Sequence, residues 1–288
     1  MIYCSTIYVL RTFPCAGGID PVIIGSIKDA SLIMTDQIRK NIMFTYNLPD
    51  KYLKINASAL KWIACITMLI DHSALALLYH AILVPNAPIA YGTELYTIYR
   101  IYRVMRGIGR TAFPIYCFFI VQGYLHTRNV KKYALRLLAF GIVSEIPFNY
   151  LVTMKARSLE YQNVYFTLLI GLLLIWAWDY LSQKKMELVQ IGLAVVLCLA
   201  AEYLRTDYGW QGPALILFFF LMNKWRVPQC VLGSAILYNE YPWVLLGYIP
   251  MLFYNGERGR QWKYFFYAFY PVHLILLHLI AINIHYAG

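Results

Sequence analysis

The feature that most constrains this chain is a succession of apolar stretches, at about residues 60 to 83, 108 to 126, 133 to 152, 163 to 181, 188 to 203, 209 to 222, 227 to 238, 242 to 254 and 264 to 285. A helix that crosses roughly 30 Å of hydrocarbon needs about 20 apolar residues, and stretches of this kind fill nearly everything after about residue 57. The expected fold is all-α, a polytopic membrane helix bundle of about nine transmembrane helices. The seventh and eighth stretches are short and read as half-helices or as tilted, partly buried spans. Composition points the same way: of 288 residues 60% are hydrophobic and 14% charged, against about 25% charged in soluble domains. No room is left for a soluble catalytic domain, so any chemistry must sit among the helices.

The formal net charge of +11, from 25 Lys and Arg against 14 Asp and Glu, serves topology and anionic lipid headgroups in a membrane chain. Nucleic acid is therefore not an expected partner; the lipid bilayer is. The cysteines Cys4, Cys15, Cys65, Cys117, Cys198 and Cys230 form no CxxC pair, and read as small buried hydrophobes. Residues 1 to about 50 balance Arg11, Lys28, Arg39 and Lys40 against Asp20, Asp29, Asp36 and Asp50 and lack the layout of a signal peptide. They read as a weakly ordered cytoplasmic tail.

Basic residues recur in alternate loops: Arg128, Lys131 and Lys132; Lys184 and Lys185; Lys224 and Arg226; Arg258, Arg260 and Lys263; and Lys51, Lys54 and Lys61 before the first span. The positive-inside rule makes these loops and the N-terminus cytoplasmic. Against that pattern, Arg100, Arg103, Arg106 and Arg110 lie between the first two spans. At about 100° per residue they share one arc of a helix whose opposite arc carries Ile101, Val104, Met105 and Ile108. An amphipathic interfacial helix is expected here. Either its arginines snorkel to lipid phosphates, or Arg106 or Arg110 folds back toward an anionic group in the bundle.

Polar residues inside the spans are the candidate site. Asp71 and His72 fall near the middle of the first span, where an ionised Asp costs roughly 2.5 to 3.5 kcal/mol on insertion scales and normally faces the bundle interior. Adjacent helical residues point about 100° apart, so this pair cannot form a simple dyad and each member needs its own partner. A neutral His can act as general base near pH 7, and Asp71 can neutralise an arginine, with Arg110 or Arg106 the evident choices. The plain alternative is a structural Asp–Arg clamp beside a satisfied core histidine.

Glu145 precedes the helix-breaking Pro147 in Ser144-Glu-Ile-Pro-Phe-Asn149, where freed carbonyls can line a cavity. Gln162 and Asn163 open the fourth span as substrate contacts or as helix caps. Tyr270 and His273 flank Pro271 in the last span, and His273 is a candidate for substrate orientation or a satisfied structural residue. His126, Arg128, Lys131, Lys132 and Arg136 follow the second span; such a cluster suits a phosphate-rich ligand, though ordinary positive-inside residues look identical. No HExxH, paired CxxC or carboxylate triad occurs, so no metal is expected. Nor do GxGxxG before a helix, GxxxxGK[ST] or GxSxG, which argues against nucleotide-driven pumping and serine-hydrolase chemistry.

The phrases LKWIACITMLIDH (60 to 72), RGIGRTAFPIYCFFIVQGYLHTRNVKKYALRLL (106 to 138), SEIPFN (144 to 149), QNVYFTLLIG (162 to 171), DYGWQG (207 to 212) and FYPVHL (269 to 274) together resemble the TraX family. That family is named for the conjugal-transfer protein that acetylates the N-terminus of F-type pilin. The resemblance runs from about residue 58 to the C-terminus, dividing the chain into an N-terminal tail (1–57) and a TraX-like membrane domain (58–288). More distantly the chain is similar to membrane acyltransferases that O-acetylate polysaccharides. There a first-span histidine precedes a Phe-rich Ser-Gly-Phe phrase and a basic segment; His72, Phe118 to Leu125 and Arg128 to Arg136 occupy those places, with Gln122 where that class has Ser.

The resemblance implies an acetyl-CoA-dependent transferase in a bacterial inner membrane, its N-terminus cytoplasmic and the donor entering from the cytoplasm. Its acceptor would be a peptide N-terminus, an amino sugar or small amine, or a hydroxyl. On that reading His72 is the general base, with Asp71 and Glu145 as further catalytic candidates. Arg106, Arg110, Asn149, Gln162, Asn163, Tyr270 and His273 contact the acceptor, and His126, Arg128, Lys131, Lys132 and Arg136 meet the phosphates of acetyl-CoA. The rival reading is a proton-coupled transporter or flippase using Asp71, His72 and Glu145 as a relay. Against it, the sequence shows no internal repeat of the kind many secondary transporters carry.

Overall fold

The computed structural model describes residues 48–260 and 262–287, and every regular element among them is helical. Residues 1–47, and with them most of the expected tail, lie outside the described residues. Helix α1 (Ala57–Leu83) starts where the Asn56 side chain accepts the Ala59 N–H at 2.9 Å, and its second half, Ala74–Leu83, winds as a π-helix. Helix α2 (Glu94–Gly109) is capped by Thr93 and passes through a two-residue turn into α3 (Ala112–His126). Then come α4 (Val130–Thr153), α5 (Val164–Gln183), α6 (Glu187–Tyr203), α7 (Gln211–Leu221), α8 (Arg226–Ile236), α9 (Leu245–Leu252) and α10 (Lys263–Ala287).

All nine apolar stretches are thus helical, and the amphipathic segment forms α2. Nine spans do not follow, however. Among the described residues, five segments are long and apolar enough to cross a membrane: Ala57–Leu83, Glu94–His126, Val130–Thr153, Val164–Gln183 and Phe265–Ile284. At 1.5 Å per residue, α7 and α8 rise only about 16 Å and α9 about 12 Å, roughly half the hydrocarbon thickness. An apolar run marks burial or lipid contact, and only its length distinguishes a crossing from a partial insertion.

The centre of the bundle is α3, which packs against α1, α5, α7 and α9. Its Phe113, Ile115, Cys117, Phe118, Ile120 and Val121 are all buried. Small residues bring the helices close: a β-carbon on Gly171 of α5 would collide with Ile216 of α7, and one on Gly212 with Thr167. Outward-facing apolar side chains, among them Ile142 and Val143 on α4, Val196 and Leu199 on α6, and Leu276 and Leu279 on α10, are half exposed or more. Apolar exposure on this scale fits a hydrocarbon surround.

Two short backbone pairings close the loops. Ile55 bridges Tyr254, joining the start of α1 to the connection after α9, and Gln162 bridges Thr206, joining the start of α5 to the α6–α7 loop. Arg226 at the start of α8 also donates to the Tyr254 carbonyl, which draws the starts of α1 and α8 and the connection after α9 together. The second pairing brings the start of α5 to the loop that carries Asp207 and Tyr208.

A candidate active site of paired histidines and arginines

The site is built where α2 meets α1. Gly109 has no room for a β-carbon because Asp71 lies directly against it. That approach lets Arg106, one turn earlier on α2, place Nη1 2.7 Å from Asp71 Oδ2. Asp71 Oδ1 is enclosed and has no hydrogen-bond partner among the described residues. Of the two arginine readings, the inward one describes Arg106 and Arg110, whereas Arg100 and Arg103 remain exposed.

Arg110 closes a second set of contacts. Its Nε lies 3.0 Å from Glu240 Oε2 in the α8–α9 loop, and its Nη1 is 3.4 Å from the Tyr208 hydroxyl. Tyr208 stacks on Phe113 with centroids 3.6 Å apart and planes parallel within 1°. It adopts a left-handed φ of 64°, a conformation a bulky residue holds only when its surroundings enforce it. Beside it, Asp207 faces Arg110, Asp71, Arg106 and Glu240. Burial pushes the Asp207 carboxyl from its ordinary 3.8 up to about 6, with the arginines opposing and the carboxylates adding to the rise.

His72 makes no hydrogen bond to Asp71, as expected of helical neighbours, although its Nε2 lies 3.9 Å from Asp71 Oδ2. Its partner is His273 of α10, with 2.7 Å between His72 Nδ1 and His273 Nε2. The rings are nearly coplanar, at 16° with centroids 5.0 Å apart, so they meet nitrogen to nitrogen across their edges. Beyond, His273 Nδ1 is 2.6 Å from the Phe269 carbonyl and the ring stacks on Phe269. Tyr270 stands edge-on to His72 at 6.1 Å and to Tyr165 at 5.2 Å. A cleft of about 560 Å³ lies on the arginine side of this site, lined by Arg103, Arg106, Arg110, Asn239, Glu240 and Trp243 among others; Asp71, His72 and His273 are not in its lining, and Arg106 is what joins it to them.

The remaining predicted residues divide into two groups. Asn163 donates to Glu145 Oε2 at 2.5 Å and to the Gly141 carbonyl at 2.9 Å, and its own oxygen caps α5 at the Tyr165 N–H. Asn149 reaches Glu145 Oε1 at 3.5 Å. These bonds tie α4 to the start of α5, so both the capping reading and a link to Glu145 apply at Asn163. Gln162 contributes its backbone, receiving the Asp207 N–H and donating to the Arg205 carbonyl, both at 3.0 Å. No described contact joins Glu145 to His72; Tyr270 lies within electrostatic reach of Glu145 and Asp207.

The basic cluster stays apart. His126, bonded to the Gln122 carbonyl, ends α3, about 21 Å along that helix from Ala112. Arg128, Lys131 and Lys132 are exposed around the α3–α4 turn, while Arg136 Nε is buried and without a hydrogen-bond partner among the described residues. No group of three side chains suited to a metal ion occurs among the described residues.

Asp207, Tyr208, Glu240 and Trp243 escaped the sequence reading. DYGWQG (207 to 212) stood out only as a phrase, without a role for its acid. Glu240 carries the only charge between residues 227 and 254, and that isolation in an apolar region was the available signal.

A family model described as TraX protein matches residues 56–281. The chain is also similar to a probable fimbrial assembly protein FimC, serogroup H1, of Dichelobacter nodosus, with 27% identity over 257 residues that cover 79% of this chain and 96% of that protein. No solved structure matches.

Proposed function

Because the chain belongs to the TraX family, its model match covering residues 56–281, we propose that it is an integral-membrane acetyltransferase that moves acetyl from acetyl-CoA to an amine or hydroxyl acceptor. The acceptor would be a peptide N-terminus, pilin-like given the fimbrial relative, or an amino sugar or small amine. The observation that carries this reading is the buried His72–His273 pair next to the Asp71–Arg106 ion pair, whose arginine also lines a polar cleft. Buried ionisable groups in a membrane protein are costly and mark function.

In the proposed reaction the acceptor enters the cleft and its nitrogen or oxygen attacks the thioester carbonyl. His72 Nε2 takes the acceptor's proton as the new C–N or C–O bond forms, the C–S bond breaks, and the protonated imidazole returns that proton to the departing thiolate. General-base assistance is worth typically 10² to 10⁴-fold. Asp71, 3.9 Å from Nε2, steadies the imidazolium, and Arg106 or Arg110 meets the negative charge that develops on the carbonyl oxygen.

The phosphates of acetyl-CoA would bind at His126, Arg128, Lys131, Lys132 and Arg136. Arg128, Lys131 and Lys132 are exposed at that turn, where they can meet an anionic ligand, and the donor's thiol arm would then run along α3 toward His72. On this reading the protein sits in a bacterial inner membrane with its N-terminus and basic loops in the cytoplasm.

The test is release of free CoA from acetyl-CoA by detergent-purified protein, wild type beside His72→Gln, with peptide, amino-sugar and hydroxyl acceptors. Release that depends on His72 and is accelerated by one acceptor class supports the transferase and names its acceptor. Release equal in both proteins removes His72 as the base. No release with any acceptor, together with no thermal stabilisation by CoA, overturns the reading in favour of proton-coupled transport through Asp71, His72 and Glu145.

A further inference from the structure

The two histidines form a chain with a defined direction. The Phe269 carbonyl can only accept, so the 2.6 Å contact requires a proton on His273 Nδ1. In the neutral ring that leaves His273 Nε2 bare, an acceptor. His72 Nδ1, 2.7 Å away, must then be the donor. A neutral His72 carrying its proton on Nδ1 has its lone pair on Nε2, and Nε2 makes no hydrogen bond to any described residue and faces Asp71 Oδ2 at 3.9 Å. One backbone carbonyl thus sets the tautomer of two rings in succession.

Packing holds this geometry. His273 is 5% exposed, stacked on Phe269 with centroids 4.6 Å apart and bordered by Tyr270 at 5.8 Å. Both its nitrogens are occupied by the protein, so none is left to orient a substrate. Its sequence position explains the contact to Phe269: four residues apart on a helix, the ring reaches back over the preceding turn to that carbonyl.

We propose that His273 is a positioning residue that holds His72 in the Nδ1–H tautomer, so that Nε2 is the atom that accepts the proton. This rests on the reading of His72 as general base, and it assigns His273 a role other than substrate contact. In serine proteases, an Asn in place of the Asp that orients the catalytic His leaves the site intact but imposes the wrong tautomer, lowering kcat about 10⁴-fold. His273 is a neutral orienter, so the expected loss is smaller, between about 10- and 10³-fold.

The experiment has two arms. Protein labelled with ¹⁵N-histidine in detergent micelles, its His72 resonances assigned by their disappearance in His72→Gln, reports which nitrogen carries the proton. The expected result is a protonated Nδ1 and a bare Nε2, lost in His273→Leu and kept in His273→Gln, whose amide oxygen can still accept from Nδ1. In the activity arm, His273→Leu lowers kcat by the stated factor with KM for acetyl-CoA changed less than about twofold, and His273→Gln recovers most of it.

A proton on His72 Nε2 in the neutral wild type overturns the proposal, as does a His273→Leu variant with unchanged kcat. If His273→Leu fails to fold, the wild-type spectrum and His273→Gln still decide. If no acetyl transfer is found at all, the proposed function fails while the tautomer measurement stands on its own.

Discussion

Gly109 and Asp71 are packed so closely across the α1–α2 contact that no β-carbon fits between them. The lack of a side chain on α2 at that point brings the Arg106 guanidinium within 2.7 Å of the Asp71 carboxylate. The site therefore depends on a residue with no chemistry of its own. Gly109→Ala is expected to force the helices apart, costing about 1–3 kcal/mol by overpacking and on the order of 100-fold in kcat by misplacing the cluster. Gly192→Ala on α6, where a β-carbon meets nothing within 4 Å, is the control and is expected to be neutral or slightly stabilising. Equal activity in the two variants would sink the argument.

The Asp71–Arg106 pair is expected to couple strongly, because its carboxylate is 14% and its guanidinium 23% exposed. Arg106→Leu leaves a largely enclosed carboxylate uncompensated, and a loss of about 3 kcal/mol is expected. Asp71→Leu with Arg106→Leu should recover part of that stability while leaving the protein inactive. A double-mutant cycle on unfolding in detergent measures the coupling; additive single losses would mean that the pair is not an interacting unit.

Asp207 gives the pH dependence a sign. Its carboxyl, ordinarily near 3.8, is raised to about 6 by burial in the α6–α7 loop, so between those values the folded protein binds more protons than the unfolded one. Its contribution to stability is accordingly greatest below about pH 4 and falls as pH rises toward 6, by about 1.4 kcal/mol for each pH unit crossed. Thermal unfolding across this range should show Asp207→Asn losing less stability with rising pH than the wild type. Parallel curves for the two proteins would rule out the raised carboxyl.

The basic turn after α3 makes a separable prediction. Lys131→Glu with Lys132→Glu alters exposed residues in the first turn of α4, beyond the end of α3, and should raise KM for acetyl-CoA at least tenfold while leaving kcat within about twofold. Added salt should raise KM in the wild type and have little effect in the variant, since the contact is screened. A KM that ignores both changes would place the donor elsewhere.

Much of this was legible in the chain, because a membrane makes sequence explicit. Lipid cannot satisfy a backbone, so apolar stretches had to be helices, and each of the nine is one. The same constraint singled out Asp71 and His72, since an ionisable group in an apolar span needs a reason to be there. The restriction that neighbouring helical residues diverge by about 100° foresaw separate partners for the two, and Arg106 was named among the candidates for Asp71. The count of nine spans is not confirmed, because α6, α7, α8 and α9 are only 17, 11, 11 and 8 residues long, and hydropathy shows that a helix is apolar without showing that it crosses.

What the chain alone determined is therefore its local chemistry: helices, their apolar faces, and the polar residues that a bilayer would not tolerate unpaired. What only the tertiary structure decided is which of those residues meet. His273 lies 201 positions from His72, and Glu240 and Tyr208 reach Arg110 from loops far along the chain. Periodicity carries information over a few turns of one helix. Contacts across a bundle depend on which helices pack together and how closely, and here that rests on positions such as Gly109, where what matters is the side chain that is missing.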